Sequence, residues 1–250
     1  MSKPRIGFIG VGLMGHGMAK NLVEKGFPTT VLGNVNRAPV EDLVSRGARE
    51  GRDPASVAAA SDIVVICVSG SPQVEAIVEG PNGLLSAARE GLIVMDCSTS
   101  EPDSTTRLAA AFAARGVPFV DAPLARSPKE AEEGRLNVMV GAEPAVFARV
   151  EPVLQAFAEN IFHVGGPSAG HKTKLLNNFL SMGQAALIAE ALMPARRRGS
   201  TSRPSSRWSR PEAPIPASSR WWRRPFSPAP MTGFASGSTS PARTFATTRT

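Results

Sequence analysis

A mostly parallel, doubly wound α/β sheet is the fold class that the 250-residue sequence predicts, and three observations carry the prediction. Short apolar runs of strand length alternate with helical periodicity along most of the chain, the rhythm of strand–helix–strand units. Some of those runs, such as Ile63-Val-Val-Ile-Cys-Val68, are continuously apolar, as strands buried on both faces must be. A glycine turn with the spacing Gly10-x-Gly12-x-x-Gly15 follows the first strand and opens the first helix.

The elements can be justified in order. Ile6, Phe8 and Ile9 are apolar and β-favouring, so residues 6–9 read as a buried strand. Residues 14–25 are periodic and free of proline, and read as the helix that follows. Between them the three glycines permit, in turn, a tight bend, close approach of backbone to a pyrophosphate, and close packing of helix on strand. The helix start adds free N–H groups and a partial positive charge where phosphates would lie. Residues 29–32 read as a short strand, 39–46 and 55–60 as short helices, and 63–68 as a central strand. A helix at 72–78, a strand at 92–96 and a helix at 102–114 continue the alternation. Strands at 118–121, 137–141 and 161–164 bracket a helix at 144–157. A long helix then runs from near Gly170 to about Met193. The expectation is a Rossmann-type dinucleotide-binding domain over residues 1–165, followed by an interdomain helix over 166–193.

Ligands of such sheets bind beyond the carboxyl ends of the strands. Those ends carry Gly10, Gly12, Leu13, Met14 and Gly15, then Val68 and Ser69, then Ser98 and Thr99, and finally the segment 123–128. The turn residues with Val68, Ser69 and Thr99 form the expected cofactor-binding set. Charge narrows the partners. Residues 194–250 hold eleven arginines and one acid, Glu212, which leaves 17 basic and 20 acidic residues before them. The net charge of +7 therefore belongs to the end of the chain and is no sign that the folded part binds nucleic acid. No apolar run reaches the roughly 18 residues of a membrane span. The first residues pass into a strand without an apolar signal segment, so a cytoplasmic protein with no membrane partner is expected. Cys67 and Cys97 fall in expected strands without metal-ligand spacing; they read as buried free thiols, and no metal is expected.

In the long helix His171, Lys174 and Asn178 are spaced i, i+3, i+7 and share a face. Two adjacent asparagines, Asn177 and Asn178, are unfavourable inside a helix, which points to a role other than helix formation. With that helix, the chain resembles the β-hydroxyacid dehydrogenase family, the relatives of 3-hydroxyisobutyrate and 6-phosphogluconate dehydrogenases. Four segments carry the resemblance, in the family's order, over residues 1 to about 193. They are Gly7-Phe-Ile-Gly-Val-Gly-Leu-Met-Gly15, Asp96-Cys-Ser-Thr-Ser-Glu-Pro102, Asp121-Ala-Pro-Leu with Glu133-Gly-Arg-Leu, and Gly170-His-Lys-Thr-Lys174-Leu-Leu-Asn-Asn178.

The resemblance implies hydride transfer between a nicotinamide cofactor and a small anionic 3-hydroxyacid or semialdehyde acid. Lys174 is implied as general acid/base, taking the hydroxyl proton as the alcohol is oxidised or returning it as an aldehyde is reduced. Asn178 would position the substrate oxygens, with Asn177 assisting, and Ser98 and Thr99 would line the nicotinamide ribose and the substrate. A desolvated lysine flanked by His171 and Lys172 would have the lowered pKa this needs. The segment Asp121-Ala-Pro-Leu-Ala125-Arg126-Ser127 departs from the Asp-Ala-Pro-Val-Ser-Gly-Gly of many members. Sulfolactaldehyde reductases, in the same superfamily, carry Gly-Arg-Thr there. Arg126 is therefore expected to bind a substrate carboxylate or sulfonate, with Ser127 as a second donor. After the second strand, Val31-Leu-Gly-Asn34-Val-Asn36-Arg37 lacks the acid that NAD enzymes place there for the ribose hydroxyls. Asn34, Asn36 and Arg37 suit a 2′-phosphate better, so NADP is the expected cofactor, with NAD as the alternative.

Family members continue with a helical second domain that closes the cleft and usually builds the dimer; a homo-oligomer is expected only where that domain is intact. Here the character changes at Pro194. Residues 194–250 hold nine prolines, all three tryptophans and eleven arginines without helical periodicity, which neither propagates a helix nor packs a core. Two explanations stay open: a disordered basic tail, or the product of a reading-frame shift that removes the second domain. Written in plausible codons and read from the third base, residues 233–249 can yield Leu-Arg-Val-Arg-Leu-Asp-Leu-Ala-Arg-Lys-Asp-Leu-Arg-Tyr-Tyr. That string resembles the Leu-x-x-Lys-Asp-Leu helix of the family's second domain. The competing functions are a sulfolactaldehyde-type reductase, a truncated non-catalytic NADP-binding protein, and nucleic-acid binding through the Arg/Trp-rich tail.

Overall fold

Side chains that alternate along each strand sort the core into two apolar layers, one on each face of a central sheet. The computed structural model describes residues 3–197, with side chains described up to 190. In order, the first elements are β1 (Ile6–Ile9), α1 (Gly15–Glu24), β2 (Thr29–Leu32), α2 (Ala38–Ser45), β3 (Arg49–Gly51) and α3 (Pro54–Ala59). Next come β4 (Ile63–Ile66), α4 (Ser71–Glu79), a 3₁₀ turn (Leu84–Ala87), β5 (Ile93–Asp96), α5 (Pro102–Ala113), β6 (Phe119–Asp121) and β7 (Leu124–Ala125). The last are α6 (Pro128–Glu132), β8 (Leu136–Gly141), α7 (Pro144–Leu154), β9 (Ala158–Gly165) and α8 (Ala169–Arg197). Ile6, Phe8, Ile63, Val65, Ile93 and Met95 pack with Met18 and Leu22 of α1, Leu43 of α2 and Val153 of α7. Ile9, Val64, Ile66 and Val94 pack on the other face with Val57 of α3, Val74 of α4 and Phe112 of α5. The period of two in the strands thus sets a three-layer helix–sheet–helix arrangement.

The sheet runs in the order β3-β2-β1-β4-β5-β6-β8-β7, with β9 paired to β8. Every pair from β3 to β6 is parallel. β8 is antiparallel to β6 and β7, and β9 is parallel to β8. The winding reverses between β1 and β4, so the crevice at their carboxyl ends is the switch point at which such sheets hold ligands.

The expected elements are present, with differences that have local causes. The strand expected at 63–68 ends at Ile66, because Val68 turns its amide to the Ser98 hydroxyl instead of the ladder. The helix expected to reach 157 stops at Leu154, two residues past Pro152, and the strand expected at 161–164 extends over Ala158–Gly165 by pairing the whole of β8. The long helix passes through Pro194 to Arg197; the tail expectation for 198–250 lies outside the described residues. Among the described residues no helix is long and apolar enough to cross a membrane.

Candidate functional site

At the switch point the three glycines of the turn meet different demands. Gly10 stands at φ +101°, and a Cβ there would lie 2.1 Å from the Cys67 carbonyl oxygen. A Cβ at Gly15 would lie 1.9 Å from the Gly10 carbonyl oxygen. The turn itself requires both. Gly12 is different: among the described residues nothing lies within 4 Å of where its Cβ would stand. The missing side chain leaves open space at the start of α1, as close approach of a pyrophosphate requires. α1 also starts with no side-chain cap and no acid in its first turn, which leaves its N–H groups and positive end for an anion. These features fit a dinucleotide. Around them Leu13 is exposed and Met14 half-buried, Val68 half-buried and Ser69 exposed after β4, and Thr99 exposed after β5.

Beyond β2, Asn34, Asn36 and Arg37 are exposed. The Asn36 side-chain oxygen accepts from the Ala38 amide at 3.3 Å. Arg37 meets a residue that sequence reasoning did not single out: its Nη1 and Nη2 donate to Oε1 and Oε2 of Glu50 at 2.7 and 2.8 Å.

The start of α8 is pinned to the ends of β5 and β6 by a buried polar network. Gly170 permits the approach, since a Cβ there would lie 2.5 Å from the Met139 carbonyl oxygen and 2.8 Å from that of Asp121. The fully buried Asp121 carboxylate accepts the Ser168 amide at 2.7 Å and the His171 amide at 2.8 Å. Burial pushes its carboxyl up, against the opposing pull of those amides. The imidazole of His171, itself fully buried, lies 2.7 Å (Nδ1) from the Thr105 hydroxyl and 3.2 Å (Nε2) from the Ser98 carbonyl oxygen. A carbonyl only accepts, so Nε2 carries a proton. Asp96 completes the set by accepting the Ser98 amide and the Ser100 hydroxyl at 2.8 and 2.7 Å.

One turn along α8, Lys174 is half-buried, and burial holds its ammonium below the ordinary lysine value of 10.5. The cause corrects the expectation from sequence: no charge from His171 or Lys172 contributes, since His171 turns into the sheet and Lys172 into solvent. Asn177 and Asn178 are half-buried a turn further on. Ser98 is almost wholly buried, its hydroxyl oxygen accepting from the Val68 amide at 3.0 Å, so it struts β4 against β5 while the exposed Thr99 is the accessible member of the pair.

The loop expected to grip a substrate anion is committed elsewhere. Arg126, at φ +86°, donates Nη1 to the Glu159 carboxylate and to the Arg135 carbonyl oxygen. Its charge is therefore paired within the chain, so a substrate anion there would have to displace Glu159. Ser127 starts α6: its amide donates to the Glu130 carboxylate at 3.0 Å and its hydroxyl donates to the same oxygen. Both residues build the loop.

A parallel sheet wound in both directions, with an uncapped helix behind a glycine turn at its switch point, defines a dinucleotide-binding α/β protein. Residues 5–165 match the family described as the NAD binding domain of 6-phosphogluconate dehydrogenase, and the chain belongs to that family. It is similar to 2-(hydroxymethyl)glutarate dehydrogenase of Eubacterium barkeri, with 41% identity over 76% of this chain and 62% of that protein. It is also similar to 3-sulfolactaldehyde reductase of Escherichia coli, with 33% identity over 74% of this chain and 62% of that protein. The chain thus spans about 62% of the length of these curated relatives. Among solved structures, 3-hydroxyisobutyrate dehydrogenase of Mycobacterium tuberculosis superposes with a TM-score of 0.74 at 27% identity, covering 80% of this chain and 68% of that one.

Proposed function

We propose that this chain is the cofactor-binding and base-carrying part of an oxidoreductase that moves a hydride between NADP and a small 3-hydroxyacid or semialdehyde acid. The observation that carries the reading is Lys174, a lysine made easier to deprotonate by burial, on a helix anchored at the carboxyl ends of β5 and β6. Gly10, Gly12 and Gly15 would hold the pyrophosphate at the start of α1, and Val68, Ser69 and Thr99 would line the cofactor beyond β4 and β5. Arg37, with Asn34 and Asn36, is the group that would meet the 2′-phosphate of NADP. When bound, the nicotinamide supplies the hydride acceptor or donor. Lys174 as free amine takes the substrate hydroxyl proton, and as ammonium returns it to the oxygen of an aldehyde. Asn178, with Asn177, holds the substrate oxygens in reach. The need for a nicotinamide pool agrees with work in the cytoplasm.

The test is turnover of a panel of small 3-hydroxyacids with NADP, comparing the chain with Lys174→Ala. Loss of about a hundredfold or more in the variant, with NADPH binding retained, is expected; equal turnover in both would reject the base assignment. A second reading, a binder without catalysis, is favoured by the exposed apolar side chains of α8, such as Phe179 and Met182. Under it both proteins bind NADPH and neither turns over. We also infer that the composition after Pro194 reflects a shifted reading frame, which sequencing the gene across that codon tests: a single uninterrupted frame leaves a genuine tail.

A further inference from the structure

We propose that Glu50 sets the cofactor preference of this chain, by holding Arg37 in an ion pair that a 2′-phosphate must break. Dinucleotide sites tell the two cofactors apart at the end of the second strand, where a carboxylate accepts the ribose hydroxyls or an arginine takes the 2′-phosphate. This chain places both groups there. β3 pairs with β2 in the register Val31↔Glu50 and Leu32↔Gly51, which brings the Glu50 side chain beside the end of β2. Arg37 reaches back from the N-terminal boundary of α2 and closes the bidentate pair at 2.7 and 2.8 Å.

Gly33 shows how closely the pair covers the strand end. A Cβ at Gly33 would lie 2.3 Å from Arg37 Nη1 and 3.0 Å from Glu50 Oε1. The glycine leaves the space into which a side chain at the end of β2 would start, and the Arg37 guanidinium with its Glu50 carboxylate fills it instead. Residues 33–37, directly after β2, contain no acid, so that strand alone reads as a site for a phosphate. With β3 beside it, the same place carries a neutralised arginine and a carboxylate that repels a second anion.

The consequences for the two cofactors differ. Arginine binds phosphate best through two parallel N–H donors, and Glu50 occupies two of them. A 2′-phosphate must displace Glu50 from the guanidinium and then tolerate its charge nearby, whereas a 2′-hydroxyl leaves the pair intact. Glu50 is thus a repulsive element in a site whose attractive element is Arg37, one of the two ways by which specificity is built. Both side chains are partly open to water, so the pair serves selectivity rather than stability and its removal leaves the fold in place.

The inference rests on the reading of Arg37 as the 2′-phosphate ligand, and the experiment separates the two. NADPH and NADH are titrated by calorimetry against the full chain, Glu50→Gln, Arg37→Gln and the double variant, with melting temperatures as a check on folding. Glu50→Gln is expected to move the NADPH:NADH affinity ratio about tenfold toward NADPH. Arg37→Gln is expected to lower NADPH affinity, and the double variant to behave as Arg37→Gln does. If Arg37→Gln weakens NADPH while Glu50→Gln leaves the ratio unchanged or moves it toward NADH, Glu50 is not the discriminator although the cofactor reading stands. If Arg37→Gln leaves NADPH affinity untouched, the reading on which the inference rests has failed.

Discussion

At Lys174 the physical lever is desolvation. Burial disfavours the ammonium, so the folded chain releases this proton below pH 10.5 while the unfolded chain still holds it. Between the lowered pKa and 10.5 the unfolded state binds more protons, so this residue makes stability rise with pH across that window. Hydroxyacid oxidation needs the free amine and should rise through the same lowered pKa; aldehyde reduction needs the ammonium and should fall through it. A ¹³C titration of the reductively methylated chain should show one lysine with a midpoint below the others, absent in Lys174→Ala; a full set of ordinary midpoints would contradict the assignment. That Lys174 and Asn178 stand on one helix was legible in the sequence, because such spacing is local information. His171 was only half legible. Its helix face could be read, but its partners Thr105 and Asp121 lie 66 and 50 residues away, and only the sheet brings them together. Glu50 escaped for the same reason, since its meeting with Arg37 depends on the β2–β3 register.

Among the elements, α8 matters most because its first turn decides where the lysine stands. Asp121 holds that turn through two backbone amides. Asp121→Ala leaves the buried Ser168 and His171 amides without their acceptor, and should cost about 3 kcal/mol in urea unfolding. Asp121→Asn keeps an acceptor and should cost less; equal and negligible losses would mean that α8 is held by other contacts. Long periodic elements such as α1, α5 and α8 were readable because many residues repeat one signal. β3 was not: three residues, Arg49, Glu50 and Gly51, carry no apolar alternation, and pairing alone makes them a strand. α6 has five residues and was passed over, although Ser127 and Glu130 spell the capping box that starts it. The pairing of Arg126 with Glu159 was not legible in the same loop, because a motif comparison shows which residue is present and not what lies 33 positions away beside it.

For the whole molecule, the exposed face of α8 has a consequence in solution. Among the described residues, α8 leaves Leu176, Phe179, Met182 and Leu187 between 65% and 77% exposed, a large apolar surface to hold in water. The chain should therefore scatter light increasingly with concentration, and the double change Phe179→Ser with Met182→Ser should reduce this; no difference between the two would place the association elsewhere. Cofactor binding depends only on the switch point, and its glycines separate ligand from fold: Gly10→Ala strains a left-handed turn against the Cys67 carbonyl, whereas Gly12 meets nothing. The most direct measurement is a titration of the chain and of Gly12→Val with NADPH, with melting temperatures recorded for both. Saturable binding by the chain, weakened more than about tenfold in Gly12→Val with a melting temperature within about 2 °C, is the expected result. Equal affinity in the two proteins, or no saturable binding by the unaltered chain, would contradict a dinucleotide site at the glycine turn.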